Sequence, residues 1–112
     1  MAWLVRDGEV LATLEVVESV GGRMRGLLGR DNVEGAVLLR PARSVHTVGM
    51  RFPIDVAYVA YVDDTMSVLR TVQMKRWRLG RPVMKARGVI EAEAGAFAMW
   101  NLRVGDLLEI KG

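Results

Sequence analysis

The stretch at residues 44–62, SVHTVGMRFPIDVAYVAYV, contains the only histidine of the chain. His46 could act as a general base if a nearby carboxylate such as Asp55 held its imidazole in one tautomer. Catalysis would also need a nucleophile, and besides a water the candidate hydroxyls are those of Ser19, Ser44 and Thr47. The chain has no Gly-x-Ser-x-Gly elbow, no phosphate-cradling glycine loop and no His-x-x-x-His pair. We therefore interpret His46 as a structural or ligand-orienting residue, with general-base catalysis as the alternative.

Asp55 lies at the start of IDVAYVAYV, a segment with apolar side chains on both faces, which is typical of a central strand. A carboxylate at that point would be partly buried and would need a partner. A bidentate arginine would be the strongest one. The candidate partners are Arg23, Arg30, Arg43 and Arg51. We predict a structural brace between Asp55 and an arginine; the alternative is an acid or orienting carboxylate in a cleft.

The segment RMRGLLGRD combines glycines with Arg23 and Arg25 near the start of a predicted helix. Backbone N–H groups and charge at such a place could surround an anion. More often, glycines of this kind let a helix pack closely on a sheet, and we favour that interpretation.

Residues 75–87, KRWRLGRPVMKAR, form a basic loop with six cationic side chains and no acidic one. Since the net charge of the chain is +3, the remainder carries −3. Trp77 stands between Arg76 and Arg78, and an aromatic ring flanked by cations is used on single-stranded nucleic acid. A solvated connection whose Trp77 covers the end of a barrel would have the same composition. No RNP-like motif is present, so we expect any nucleic-acid binding to be weak and nonspecific.

Composition bounds the protein class. A length of 112 residues predicts a single domain over residues 1–112, and 51% hydrophobic with 26% charged residues is typical of a soluble globular protein. Zero cysteines and one histidine exclude disulfides, thiolate sites and multi-histidine metal sites within the chain, so we predict no metal and no cofactor. No apolar run approaches the ~20 residues that span a bilayer. The first residues lack a signal-peptide pattern, and we expect a cytoplasmic protein without a membrane partner.

The first part of the chain predicts a hairpin followed by a helix. Strands at residues 2–6 and 9–17 flank Asp7-Gly8, a pair that suits a two-residue turn. Ser19 could cap a helix whose apolar stripe docks on the sheet and which ends at Gly29. The stripe consists of Val20, Met24, Leu27 and Leu28.

Further strands are predicted at residues 36–40, 45–48, 54–62, 66–74, 88–94 and 107–110. An extended segment at 45–50 would place His46 on one face with Val48 and Met50. In GVIEAEA, Glu91 and Glu93 would share a face, and facing arginines would make them structural. FAMWNL is a short connection that could be helical. About eight short strands with one short helix predict a mainly β (α+β) fold, a small barrel or curled mixed sheet.

Four segments in order, RMRGLLGR, VHTVGMRFPIDVAYV, VIEAEAG and LRVGDLLEI, extend over most of the chain. Together they resemble the prokaryotic domain of unknown function number 192 family. The matching residues are Arg23, Gly26, Leu27, Arg30, His46, Thr47, Met50, Pro53, Ile54, Asp55, Glu91, Gly95, Gly105 and Asp106. Leu28 stands where methionine is common, and Asp64-Thr65 replaces the usual Asp-Gly turn. The resemblance implies a compact β-rich fold and implies no activity.

The sequence thus favours a non-enzymatic module that binds a small ligand or a protein in a polar cleft around His46 and Asp55. The candidate ligand-binding residues are Arg23, Arg30, Arg43, His46, Thr47, Arg51, Asp55, Trp77 and Arg78. The first alternative is a hydrolase- or transferase-type enzyme that uses His46 and Asp55. The second is a weak nucleic-acid binder that uses the basic loop.

Overall fold

The computed structural model describes residues 2–112, which form seven strands and two short helices. The strands are β1 (Ala2–Arg6), β2 (Glu9–Val17), β3 (Ala36–Leu39), β4 (Ile54–Val62), β5 (Thr65–Met74), β6 (Gly88–Glu93) and β7 (Leu107–Lys111). The helices are α1 (Val20–Arg25) and α2 (Ala96–Met99). Neither helix of this part of the chain has the length and apolar composition needed to cross a membrane.

The strands close into a barrel in the order β1-β2-β3-β6-β4-β5-β7, and β7 returns to pair with β1. All neighbouring strands are antiparallel except β2 and β3, which are parallel. Asp7 and Gly8 join β1 to β2 with φ angles of 53° and 78°, the positive values that a tight hairpin turn requires. The predictions of a hairpin and of a mainly β, barrel-like fold are confirmed.

Two apolar clusters lie on opposite faces of the sheet. One draws on all seven strands and fills the barrel; Leu4, Leu38, Ala57 and Ile90 belong to it. The other lies on the outer face of β3, β6, β4 and β5, where the loops that connect the strands cover it. Because side chains alternate along a strand, neighbouring residues of β4 and β6 enter different clusters, and both strands are buried on both faces.

The predicted helix at residues 20–28 is shorter and less buried than its apolar stripe suggested. Helix α1 ends at Gly26, whose φ of 50° stops the helical turn, and not at Gly29. Val20 is 65% exposed and Met24 is 73% exposed, so the helix does not dock through the stripe. Leu27, just beyond the helix, is buried instead. The tight turn after Arg25 changes the direction of the chain. Leu27 and Leu28 therefore lie beyond the helix and do not continue its apolar stripe.

The prediction of a strand at residues 45–48 is wrong. The segment forms only one isolated bridge, between His46 and Leu79, and Gly49 with a φ of 82° ends the extended run. A short run of β-branched residues favours extended backbone but does not supply a partner strand. The strand count is therefore seven and not eight in residues 2–112. The connection FAMWNL at residues 97–102, which could be helical from the sequence, overlaps a second helix, α2.

Candidate functional site

A pocket of about 460 Å³ opens on the outer face of the barrel. We call it the Glu91 pocket. Its walls come from α1 and the turn after it, from the segment at residues 42–50, and from Leu79 and Gly80. The polar residues that line it are Arg23, Arg25, Arg43, Ser44, His46 and Glu91. Leu27, Leu39 and Met50 supply apolar surface. The pocket therefore combines an apolar wall with cationic side chains and one carboxyl.

Glu91 lies at the centre of β6, with Val37 of β3 on one side and Val56 of β4 on the other. Its side chain is on the outer face that the loops cover, and the residue is only 2% exposed. Oε1 of Glu91 has no hydrogen-bond partner within residues 2–112. Burial raises the pKa of Glu91 to about 7, against the opposing effect of the Arg30 charge. At neutral pH this carboxyl can therefore either donate or accept a hydrogen bond.

Gly26 leaves open the space next to this carboxyl. A Cβ at residue 26 would lie 3.4 Å from Glu91 Oε1 and 3.9 Å from a methyl group of Leu39. The amide of Gly26 donates to the carbonyl of Gly22 at 2.8 Å and thereby closes α1. Because residue 26 is a glycine with positive φ, the chain can turn directly over Glu91 without filling the pocket.

The basic side chains of the pocket differ in how firmly they are held. Arg23 is half-buried, and its Nη1 donates to the carbonyl oxygens of Glu18 at 3.2 Å and Arg40 at 3.4 Å. Arg43 and His46 are exposed, and neither side chain makes a hydrogen bond to another described residue. Arg23 is thus positioned in advance, whereas Arg43 and His46 can adjust to a ligand.

Asp55 does not lie in this pocket, and its predicted pairing with an arginine is wrong. Oδ2 of Asp55 accepts the backbone N–H groups of Gly95 and Phe97, both at 3.0 Å, and Oδ1 accepts Nε2 of Gln73 at 3.2 Å. The residue is on the opposite face of the sheet from Glu91, beside α2. Gly95 precedes α2 and has no side chain to cap it, so Asp55 supplies the cap from a distant strand. The structure does not bring His46 and Asp55 into one site.

Two of the candidate arginines pair elsewhere. Arg30 forms an ion pair with Glu15 at 3.2 Å, and Arg51 contacts Asp31. Both pairs are substantially exposed, and such pairs contribute little to stability. Arg30 acts on the Glu91 pocket only through its charge.

Thr47 is fully buried and holds the basic loop in place. Its hydroxyl donates to the carbonyl oxygen of Lys75 at 2.6 Å and accepts the N–H of Arg78 at 2.8 Å. The backbone N–H of Thr47 donates to the carbonyl oxygen of Arg78 at 2.8 Å, and the carbonyl oxygen of Thr47 accepts the N–H of Trp77 at 2.9 Å. Trp77 has a φ of 62° and is 59% exposed, so it does not cover the end of the barrel. Trp77 and Arg78 lie outside the Glu91 pocket.

Glu91 was not predicted as a site residue from the sequence, because Glu91 and Glu93 alternate with apolar residues in the way of a solvent-exposed face. In the structure Glu93 is exposed and Glu91 is buried. One signal in the sequence pointed to its burial. A strand at the centre of a sheet is covered on both faces, so a carboxyl on either face of that strand is also covered.

No group of three or more histidine, cysteine, aspartate or glutamate residues in 2–112 is arranged to hold a metal ion. The fold and site define a small closed β-barrel protein with a buried carboxyl in an outer pocket. The chain belongs to the family DUF192, "Uncharacterized ACR", whose sequence model matches residues 2–110. The resemblance noted from the sequence is confirmed.

Two solved structures share the fold. One is a protein of unknown function from Novosphingobium aromaticivorans DSM 12444, with a TM-score of 0.73, 16% identity, and coverage of 99% of this chain and 83% of the other. The second is a "putative transcription regulator" from Sinorhizobium meliloti 1021, with a TM-score of 0.78, 18% identity, and coverage of 96% and 90%. No curated protein matches the chain. At these identities the likeness concerns the fold alone.

Proposed function

We propose that this protein is a non-enzymatic binding module that takes one small ligand in the Glu91 pocket. The observation that carries the proposal is the buried carboxyl of Glu91, whose Oε1 has no partner in the described chain although it lines an open pocket. A buried polar group without a partner reduces stability. A ligand that supplied the missing hydrogen bond would remove this penalty on binding.

The lining residues indicate the chemistry of such a ligand. Glu91 favours an amine or another hydrogen-bond donor, and Arg23 together with Arg43 favours a carboxylate or another anion. Leu27 and Met50 favour an apolar portion between the two. These requirements describe a small amphipathic molecule with a cationic and an anionic end.

A matched set of probes tests this assignment. Hexylamine, hexanoate and 6-aminohexanoate share similar carbon chains but differ in their charged ends, and binding is followed by amide chemical shifts at Gly26 and Glu91. We expect 6-aminohexanoate to bind most tightly, and Glu91→Gln to remove the advantage that the amine confers. Glu93→Gln is the control, because Glu93 is exposed on the same strand and does not line the pocket. Equal binding of all three probes, or equal effects of the two variants, would contradict the proposal.

Weak nucleic-acid binding through residues 75–87 is the second candidate. The exposed side chain of Trp77 between exposed Arg76 and Arg78 supports it, because such a ring is available for base stacking. We expect a salt-dependent affinity no tighter than about micromolar at physiological salt. Titration of single-stranded DNA, with Trp77→Ala as the variant, measures it.

Two broader proposals rest on the sequence. A single domain over 1–112 is supported by the pairing of β1 with β7, which joins the two ends of the described chain. One cooperative unfolding transition by both circular dichroism and fluorescence would be expected. The cytoplasmic location is a prediction that cell fractionation tests.

A further inference from the structure

A second pocket, of about 400 Å³, lies between β5 and the basic loop. The residues that matter for its chemistry are Tyr58, Arg70, Lys75, Arg78, Gly80 and Arg81. No aspartate or glutamate lines it. It shares only Leu79 and Gly80 with the Glu91 pocket, so the two cavities are separated by this short segment. We call it the Tyr58 pocket.

The four cationic side chains of the Tyr58 pocket form no ion pair with an acidic residue within 2–112. They come from two parts of the chain, since Arg70 is on β5 and the other three are in the basic loop. Like charges gathered around one cavity repel one another, and a bound anion would relieve that repulsion.

Tyr58 supplies an uncharged hydrogen-bond donor at the base of this pocket. The residue is only 1% exposed, and its hydroxyl makes no hydrogen bond to any described residue. Burial raises the pKa of Tyr58, against the opposing charge of Arg70, so the hydroxyl is protonated at neutral pH. It can therefore donate to an anionic oxygen.

Gly80 keeps the hydroxyl accessible. A Cβ at residue 80 would lie 3.0 Å from the Tyr58 hydroxyl oxygen and 2.6 Å from the carbonyl oxygen of Val45. The amide of Gly80 donates to that same carbonyl at 2.9 Å, which holds the backbone close to the sheet. Thr47 fixes the loop at Lys75 and Arg78. Lys75 and Arg78 are thus anchored through their backbone beside the cavity, and Arg70 is held by its place on β5.

We propose that the Tyr58 pocket binds a phosphate group, with Arg70, Lys75, Arg78 and Arg81 providing charge and Tyr58 donating one hydrogen bond. A phosphate monoester matches this set well, because it carries close to two negative charges and three acceptor oxygens. The volume exceeds that of a bare phosphate and leaves room for a small organic group. The phosphate can come from a free phosphorylated molecule or from a nucleic acid, and the proposal assigns it to the former.

Methyl phosphate is the probe, with dimethyl phosphate and a short single-stranded oligothymidylate as comparisons. Binding is followed by amide chemical shifts at Tyr58, Arg78 and Gly80. We expect methyl phosphate to bind more tightly than the diester. Tyr58→Phe should weaken binding about three- to tenfold, the effect of one hydrogen bond. The same variant should unfold no more readily than the wild type without ligand, since the hydroxyl that it removes bonds no other described residue.

Two variants of the basic loop separate a built site from a diffuse positive field. Arg78→Gln removes a charge that lines the Tyr58 pocket, whereas Arg76→Gln removes the same charge from the same loop outside it. We expect roughly tenfold weaker binding for Arg78→Gln and less than about twofold for Arg76→Gln. Both side chains are exposed, so both variants should fold.

Three results would overturn the proposal. The first is an equal effect of the two loop variants, which would show a general electrostatic attraction. The second is binding of the oligonucleotide alone with dependence on Trp77, which would assign the loop to nucleic acid. The third is the absence of shifts at Tyr58 and Gly80 with methyl phosphate. Glu91→Gln should leave phosphate binding unchanged, so failure here is distinguishable from failure of the Glu91 pocket.

Discussion

The glycine at residue 26 lies next to the buried carboxyl of Glu91, at a place where a Cβ would stand 3.4 Å from Oε1. One residue is on a turn after a helix and the other is at the centre of the barrel wall. A side chain at residue 26 would extend into the space beside the carboxyl, where the proposed ligand would bind. The glycine turn at the end of α1 therefore keeps Oε1 of Glu91 accessible. This atom is the one buried side-chain oxygen without a partner in the described chain.

Glu91→Gln should stabilise the protein, and the gain should depend on pH. In the folded protein burial raises the pKa of Glu91 to about 7 from an ordinary value of 4.5. Between these values the unfolded chain releases a proton that the folded chain retains, so wild-type stability falls as pH rises through this window. The glutamine variant lacks this loss. Above pH 7 its free energy of unfolding should exceed that of the wild type by at most about 3 kcal/mol.

Urea unfolding of both proteins at a series of pH values measures the difference. Below the ordinary pKa of a glutamate both states are protonated, and the two proteins should then differ little. Glu93→Gln, at an exposed site on β6, should show no such pH dependence. A constant difference between wild type and Glu91→Gln at every pH would contradict the raised pKa.

Asp55→Ala should destabilise the fold by about 2–4 kcal/mol, because it leaves two backbone N–H groups at the start of α2 without an acceptor. Asp55→Asn keeps one carbonyl oxygen at the same place and should recover about half of the loss or more. Chemical denaturation measures both. A loss of less than about 1 kcal/mol for the alanine variant would rule out the capping role.

Thr47→Val should loosen the basic loop while it preserves the shape of the side chain. The change removes the hydroxyl that bonds Lys75 and Arg78, which destabilises the protein by about 1–3 kcal/mol. Limited trypsin digestion should cut faster after the cationic residues of 75–78. Thr47→Ser retains the hydroxyl and serves as the control; equal cleavage of the serine and valine variants would refute the anchoring role.

His46→Asn should leave the unfolding free energy unchanged within about 0.5 kcal/mol, since the imidazole is exposed. It should retain part of the affinity of the Glu91 pocket, because asparagine also has a donor and an acceptor. Calorimetric titration with 6-aminohexanoate measures this. Should a turnover activity be found, a fall of about 10²–10⁴-fold in a folded His46→Asn variant would support general-base catalysis and defeat the binding-module proposal.

Features that depend on neighbouring residues could be predicted from the sequence. The hairpin at Asp7-Gly8 follows from the positive φ angles that its turn requires, and these are a local property of the two residues. The central position of β4 follows from apolar side chains on both of its faces. The extent of α1 was mispredicted because the apolar stripe continues beyond the point where the chain turns at Gly26.

What decided the candidate site was contact between distant segments. Local alternation treats Glu91 and Glu93 alike, yet only Glu91 is enclosed, because β3, β4 and the outer loops meet over the centre of β6. The sequence likewise required a partner for the carboxylate of Asp55. That partner proved to be the start of α2, some 40 residues further along the chain. Local patterns determine which face of a strand a residue occupies, whereas the burial and partners of that face depend on long-range packing that no short window contains.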